Sequence, residues 1–580
     1  MRKIFTPFRF ALCAFCLLSL IGLRAYGQDP DKKQTNEHPN GIVQDWSRRH
    51  AVYPRIGPIQ SLIAVEHDPR AILSWQEAER EDWHRDRDRH HHHDHDGDND
   101  NAAVTGLQRD WSISLGAGTT APGMFPAKFT FDPTATPTCI ISVAPAVPIP
   151  DYVVFTVNAA GGIAQPNIVA FQDLYSGTTG GTGQCNTQRP TYFTGDTITS
   201  AATFWSYNVT AADGVVSTSP ALSIDGTKVA FVEKGGGGTA HFHVLAWNGG
   251  TTTVAGDGVT TTNSQIVTAP KTITGVSFVA TAPTAGSGTA TDLALNVGTT
   301  QSDTISSPFV DYVHDTAYVG NDSGTLFRIA NVFCAMSPCT PGTSAAPALD
   351  TTWGGTGAVA TGCSGQLTGP VVASGNVFVG CSDGTLYGFT STGGAIPGSP
   401  LTVGTLFGPM GGIVDPPLID VVNGLLYVVA GNAGSGTGAP SVLVQTSTTS
   451  FLTPTPVTAF LGAGGLFNLH APYFNEAYFS SPFATVANVQ GTTTTNGTTG
   501  NTSNWQIYEW GDSGVAGSPA TLYGVGFNSS GHDMTSGPAS NFLQISSSAS
   551  TEFSPVTEFL NGGTDQLFVS ALEAAPPKHH

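Results

Sequence analysis

An all-β fold is what this sequence predicts, on three observations. Only 11% of the 580 residues are charged while Gly alone supplies 70, against about a quarter charged in an ordinary soluble domain. Beyond residue 105 the apolar residues fall in short runs broken by Gly, Pro, Asn and Asp, the pattern of strands and tight turns. The same succession of strand and turn then recurs along the chain, and a repeat on that scale outranks any single-strand assignment. Together these features exclude a coiled coil, a helical bundle and a basic nucleic-acid binder.

Residues 1–27 read as an export signal. Arg2, Lys3 and Arg9 form a basic start, an apolar stretch runs from Phe10 to Leu23, and Ala25-Tyr26-Gly27 offers small residues for cleavage. About 14 apolar residues fall short of the roughly 20 that span a bilayer, so no transmembrane anchor is expected. Once the signal is removed, 18 basic residues face 42 acidic ones, a charge of −24 that repels nucleic-acid phosphates and anionic membrane.

Residues 28–105 read as a charged, partly helical extension, with 10 Lys/Arg and 16 Asp/Glu by residue 100. Asp68 can cap a helix, Pro69 suits its first turn, and good helix formers continue to Trp83. The Arg85–Arg89 run and the His90, His91, His92, His93, Asp94, His95 tract follow. They are too polar to bury enough apolar surface to offset chain entropy, so this part reads as a disordered, solvated tether.

Residues 106–574 carry the repeat, and 575–580 a flexible tail. Aligned on a small residue followed by Pro, the copies are SPALSIDGTKVAFVE from Ser219, SPFVDYVHDTAYVGNDSGTLFRI from Ser307, GPVVASGNVFVGCSDGTLYGF from Gly369 and PPLIDVVNGLLYVVAGN from Pro416. Weaker members start at Ser481 and Ser554, and an earlier unit at Asp151. Each is a strand, a turn with Asp, Asn or Gly, a second apolar strand, a Gly-rich turn and another strand: a β-meander. One meander cannot bury both of its faces, and radial packing of many does, so the expected architecture is a β-propeller. Seven blades fit best, with six or eight as alternatives. Of the Pro-to-Pro steps of 88, 62, 47, 65 and 73, all but the third exceed the roughly 40 to 50 residues of one blade. The surplus is expected as loops at 249–265, 282–302 and the Thr-rich 491–504, and a strand at Trp111–Leu115 is expected to close the ring.

SDGTLYGF at 382–389 and DSGTLFRI at 322–329, each preceded by Val-Gly in an apolar strand, resemble the repeats of quinoprotein-like (PQQ-type) β-propellers. With the DWSISLGAG and MFPAKFTFDP segments at 110–118 and 124–133, the wider sequence resembles a group of exported bacterial propellers. The resemblance implies the fold over about 150–570. Quinone-dependent members bring an adjacent Cys-Cys disulfide, a tryptophan platform and acidic calcium ligands. This chain has no Cys-Cys and no alignable platform or ligand set, which argues against both PQQ and calcium.

Six cysteines remain in the mature chain: Cys139, Cys185, Cys334, Cys339, Cys363 and Cys381. An even count in an exported protein reads as three disulfides, of which six cysteines allow 15 pairings. Sequential pairing, 139–185, 334–339 and 363–381, is the expectation. No Cys-x-x-Cys occurs in the mature chain, which excludes a zinc ribbon and c-type haem attachment.

Several motifs mimic catalysis. Gly380-Cys381-Ser382-Asp383-Gly384 matches a hydrolase nucleophile elbow, but a strand follows where a helix is required, so it reads as a blade turn. Gly511-Asp512-Ser513-Gly514 lacks the surroundings of a serine protease. His241 and His243, two apart on an expected strand, share a face and could share a metal if a third ligand came from His314, Asp315, His470, Glu476, His532 or Asp533. The His90–His95 tract is a second loose metal-binding candidate.

Asp225, Asp322 and Asp383 sit beside turn glycines and read as turn caps. Asp311, Asp415 and Asp420 flank the strand entrances without an obvious His or Lys partner in sequence. The expectation is therefore no central carboxylate pair and no three-ligand metal site. The functional expectation is a secreted, non-enzymatic binding or scaffold protein of the cell exterior, with an extracellular protein or glycan as partner. An extracellular enzyme, carbohydrate-active or a quinone-type oxidoreductase, and an adhesin or filament subunit are the alternatives.

Overall fold

The computed structural model describes, in whole or in part, residues 42–53, 68–71, 115–130, 152–176, 188–189, 202–207, 215–246, 252–261, 291–296, 303–333, 347–462, 469–478, 490–512, 520–544 and 552–572. The expected signal at 1–27, His90 to His95, Cys139, Cys185, Cys334, Cys339, Trp111 and the tail lie outside those residues.

The fold is an all-β β-propeller. Among the described residues, six sheets of four or more strands follow one another along the chain, each built on an antiparallel meander. Their first strands are Ala127–Thr130, Ala221–Leu222, Phe309–Asp311, Val371–Ala373, Leu418–Asp420 and Tyr473–Phe474. A final hairpin joins Thr557–Asn561 to Thr564–Phe568. First strands of neighbouring sheets touch, those of the third, fourth and fifth sheets in succession, which sets them along the axis.

Apolar strands buried on both faces make this packing possible. Ser441–Ser447 is buried at every residue and Leu425–Ala430 at all but its first. The cores lie between consecutive sheets. Tyr318, Leu326 and Trp353 of the third meet Val377, Val379 and Tyr387 of the fourth, with the Trp353 ring edge-on to both Tyr318 and Phe389.

Each first strand follows an X-Pro step, because Pro has no N–H for the ladder and suits a strand's first position. The steps are Phe125-Pro126, Ser219-Pro220, Ser307-Pro308, Gly369-Pro370, Pro416-Pro417, Ala471-Pro472 and Ser554-Pro555. Two differ from the sequence alignment. The sixth sheet starts at Ala471-Pro472 rather than at Ser481, and the first sheet starts at Phe125-Pro126, ahead of Asp151. The Thr-rich segment expected as loop pairs as a hairpin, Gln490–Thr495 with Thr498–Ser503, consistent with the strand preference of Thr.

Part of the charged extension is woven into the sheets. Ile42–Gln44 pairs antiparallel with Ala127–Thr130, and Ala51–Val52 pairs in parallel with Ile419 and Asp420 of the fifth sheet's first strand. A 3-10 turn, Trp46–Arg49, joins them and is capped by Asp45, which accepts from Ser47 N. Of the helix expected from Asp68, the described part is the turn at 69–71, with Arg70 N donating to Asp68 Oδ1. Averaged charge hid this segment: Val43, Trp46, Ala51, Val52 and Tyr53 are all buried.

Candidate functional site

The entrances to the first strands form a belt of backbone-to-side-chain hydrogen bonds. Phe125 N donates to Ser219 Oγ, and Ser219 N donates in turn to Ser307 Oγ, both at 2.9 Å. In the third and fourth sheets the residue before the X-Pro step ties its own sheet: Gly320 N donates to Ser306 Oγ at 2.7 Å and Gly380 N to Thr368 Oγ1 at 3.0 Å. In the fifth and sixth sheets that position is taken by Asp415 and His470. Asp415 Oδ2 accepts from Ala471 N at 2.8 Å, and His470 Nδ1 lies 3.5 Å from the same oxygen. Burial alone would push the Asp415 carboxyl up, but His470 and His50 outweigh it and hold it below the usual range.

The N-terminal segment lies across this belt. Trp46 Nε1 donates to Pro308 O at 2.9 Å, its ring packs where Gly369 has no side chain, and His50 Nδ1 is 3.0 Å from Pro416 O. Burial, assisted by the Arg49 charge, holds the His50 pKa below its ordinary value despite Asp415. Arg70 is 3% exposed. It binds both oxygens of Asp68 at 2.8 Å, donates to Ser47 Oγ and Val310 O, and lies 4.2 Å over the Phe309 ring. Burial pulls its pKa down, but the adjacent Asp68 carboxylate more than compensates and the net shift is upward. Tyr53 and Tyr312 close the network by donating to Asp68 and Asp45.

Of the three acids expected without a His or Lys partner, Asp311 and Asp415 each meet a histidine, whereas Asp420 meets a tyrosine and an asparagine. Asp311 Oδ2 is 2.7 Å from His314 Nδ1, Asp415 meets His470, and Asp420 accepts from Tyr478 OH and Asn423 Nδ2 at 2.6 Å. His314 stands three residues from Asp311 and was legible as a turn partner. His470 and Tyr478 come from another sheet and were not. Two of the three expected turn caps behave so, Asp225 Oδ1 accepting from Thr227 N and Asp383 Oδ1 from Thr385 N, both at 3.0 Å. In the turn of Asp322 it is instead Asn321 Oδ1 that accepts from Ser323 N and Thr325 N, and Asp322 Oδ1 accepts from Gln366 Nε2.

His241 and His243 lie on the second sheet's third strand, His241–Ala246, and both approach Glu233 on the neighbouring strand. Glu233 Oε2 is 3.1 Å from His243 Nε2 and 3.6 Å from His241 Nδ1. Glu233 is 1% exposed and its Oε1 is buried without a hydrogen-bond partner, while Phe231 stacks on the His243 ring at 4.9 Å and 3°. Glu233 was missing from the sequence candidates, although it ends the strand facing TAHFHVLAW and is directly opposite His241 in register. His314 and His470 lie with Asp311 and Asp415, on the third and sixth sheets.

Cys363 and Cys381 form a disulfide with Cα atoms 5.8 Å apart, the 363–381 bridge expected from the sequence. Asp383 is near both sulfurs, but a disulfide has no thiolate to offer a metal. Gly380 ends one strand and Thr385 begins the next, so the Gly-x-Ser-x-Gly motif is a blade turn.

No protein family matches the chain by sequence, and no curated protein does. Among solved structures, BamB from Moraxella catarrhalis is similar over 71% of this chain and 95% of its own, at 14% identity and a TM-score of 0.28. Sqt1 from Saccharomyces cerevisiae is similar over 72% and 90%, at 10% identity and a TM-score of 0.31. A chain of the Mitotic Checkpoint Complex covers 78% and 86%, at 10% and 0.29. No helix among the described residues is long and apolar enough to cross a membrane.

Proposed function

We propose that this chain is an exported, seven-bladed β-propeller that acts as a non-enzymatic binding or scaffold protein of the cell exterior, with an extracellular protein or glycan as partner. The observation that carries the reading is the engagement of the first-strand entrances, where a catalytic propeller gathers its charged groups. Asp415 is held by Ala471 and His470, Trp46 is bonded to Pro308, and Arg70 is bonded to Asp68. General acid–base chemistry needs a donor and acceptor aimed at substrate, and these groups are aimed at one another. Seven X-Pro steps support seven blades, and the Cys363–Cys381 disulfide supports an oxidising compartment. The reading includes no quinone cofactor: the bridge joins residues 18 apart rather than an adjacent pair, and Trp46 is already packed over Gly369 and edge-on to Phe309.

The test is a panel of extracellular polysaccharides and surface proteins presented to the mature protein, with binding and turnover measured together. Saturable binding without product formation is expected. Cleavage of any polysaccharide, or dye-linked oxidation of an alcohol or sugar, would establish the enzyme reading instead.

A further inference from the structure

The geometry points to a divalent transition-metal site formed by Glu233, His241 and His243, taking zinc or a metal of similar ligand preference. Two imidazoles and one carboxylate suit zinc and its neighbours in the first transition row. His241 and His243 are two apart on one strand and so share a face, and Glu233 is the register partner of His241 on the next strand. Both imidazoles converge on a single carboxylate oxygen, Glu233 Oε2. The other oxygen, Glu233 Oε1, is buried without a hydrogen-bond partner, a cost that a bound cation would remove.

The repeat supplies an independent argument, because the sheets can be superposed by register from the residue that follows each X-Pro step. Glu233 then stands where the third, fourth and fifth sheets have Asn321, Cys381 and Ala430. His243 stands where they have Phe327, Tyr387 and Val444. His241 stands where they have Thr325, Thr385 and Val442. Three blades build the same meander without an ionisable pair at these positions, so packing does not require one in the second. The ligands that sequence reading sought on distant units are unnecessary, since the third comes from the adjacent strand.

His243 is held in place by Phe231, whereas the His241 side chain is 28% exposed and the two imidazole centroids are 6.1 Å apart. Metal capture therefore requires the His241 ring to shift toward Glu233, from which its Nδ1 is already 3.6 Å away.

The experiment must first remove competing histidines. In the full mature chain His90, His91, His92, His93, His95, His579 and His580 are replaced by Asn, and Co2+ and Zn2+ are titrated while visible absorption and calorimetry are followed. One equivalent of Co2+ should give a d–d band that Zn2+ displaces. His241→Gln, at the more exposed position, should weaken binding at least tenfold with unchanged circular dichroism, and Glu233→Gln and His243→Gln should abolish it. Absence of stoichiometric binding in the parent chain overturns the proposal. So does binding that persists unchanged in His241→Gln, whether or not the two buried variants fold.

Discussion

Trp46 donates its indole N–H to the carbonyl of Pro308 across 2.9 Å, although the two residues are 262 positions apart. The bond ties Trp46 to the middle of the propeller and makes 42–53 part of the folded unit.

Removing the Arg70 side chain should therefore destabilise the whole propeller. Arg70→Ala leaves Asp68 buried without its ion partner and takes a cation from over Phe309. Loss of one member of a buried pair costs about 3–5 kcal/mol. Urea unfolding followed by tryptophan fluorescence should show a loss of unfolding free energy of that size, read from a lowered midpoint, whereas a mere tether would show none.

The Cys363–Cys381 bridge closes a loop of 18 residues, for which chain entropy gives about 3 kcal/mol. Replacing both cysteines by Ala should lower the melting temperature accordingly. Peptide mapping of the oxidised protein should recover this bridge intact.

Two buried groups should set opposite pH dependences. The folded-state pKa of His50 is lowered, chiefly by burial, so the unfolded chain takes up the proton first. Its contribution is present at neutral pH and falls as pH drops below the ordinary histidine value of about 6.5. His50→Gln should flatten the stability profile between roughly pH 7 and 5.

Asp303 acts the other way. Burial raises its pKa well above 3.8, and its Oδ2 is buried without a hydrogen-bond partner. The folded state keeps the proton that the unfolded state loses, so this acid lowers stability as pH rises from about 4. Asp303→Asn, which can still accept from Ser306 N, should raise the melting temperature at pH 7, and the gain should shrink toward pH 4.

Gly384 turns the Gly-x-Ser-x-Gly segment with φ at +94°, and an added Cβ would lie 2.3 Å from Gly404 O. Gly384→Ala should cost about 1–3 kcal/mol from the backbone conformation alone, with the clash adding to it. Thermal unfolding of this variant beside Gly375→Ala, whose Cβ would meet only Ser391, separates the two contributions.

How much was legible depends on whether the information was local. The X-Pro steps, the alternation of turns and apolar runs, and the Asp225 and Asp383 caps all act within a few residues of where they stand. They announced the meander. The alignment slipped at Ala471-Pro472 because the cue there is a dipeptide with no Asp-Gly turn behind it. The extension was misread for a different reason: five buried apolar residues between Val43 and Tyr53 were diluted by the charges around them. The candidate metal cluster was half visible. The i, i+2 histidines are a one-strand pattern, but Glu233 joins them only through cross-strand register, which the sequence does not display until the hairpin is placed.

The pairing of Ala51 and Val52 with the fifth sheet has a consequence for how the protein is made. His50 meets Pro416 across 366 positions of chain, so a segment that leaves the ribosome early completes its contacts only after the fifth sheet has followed. Until then Ala51 and Val52 lack the strand they pair with, and their apolar side chains have nowhere to be buried. Contacts of such long range slow folding and leave apolar surface open to aggregation. A chain cut short before Ile419 would display that surface permanently, so the segment reports, in one contact, that synthesis has passed the fifth sheet.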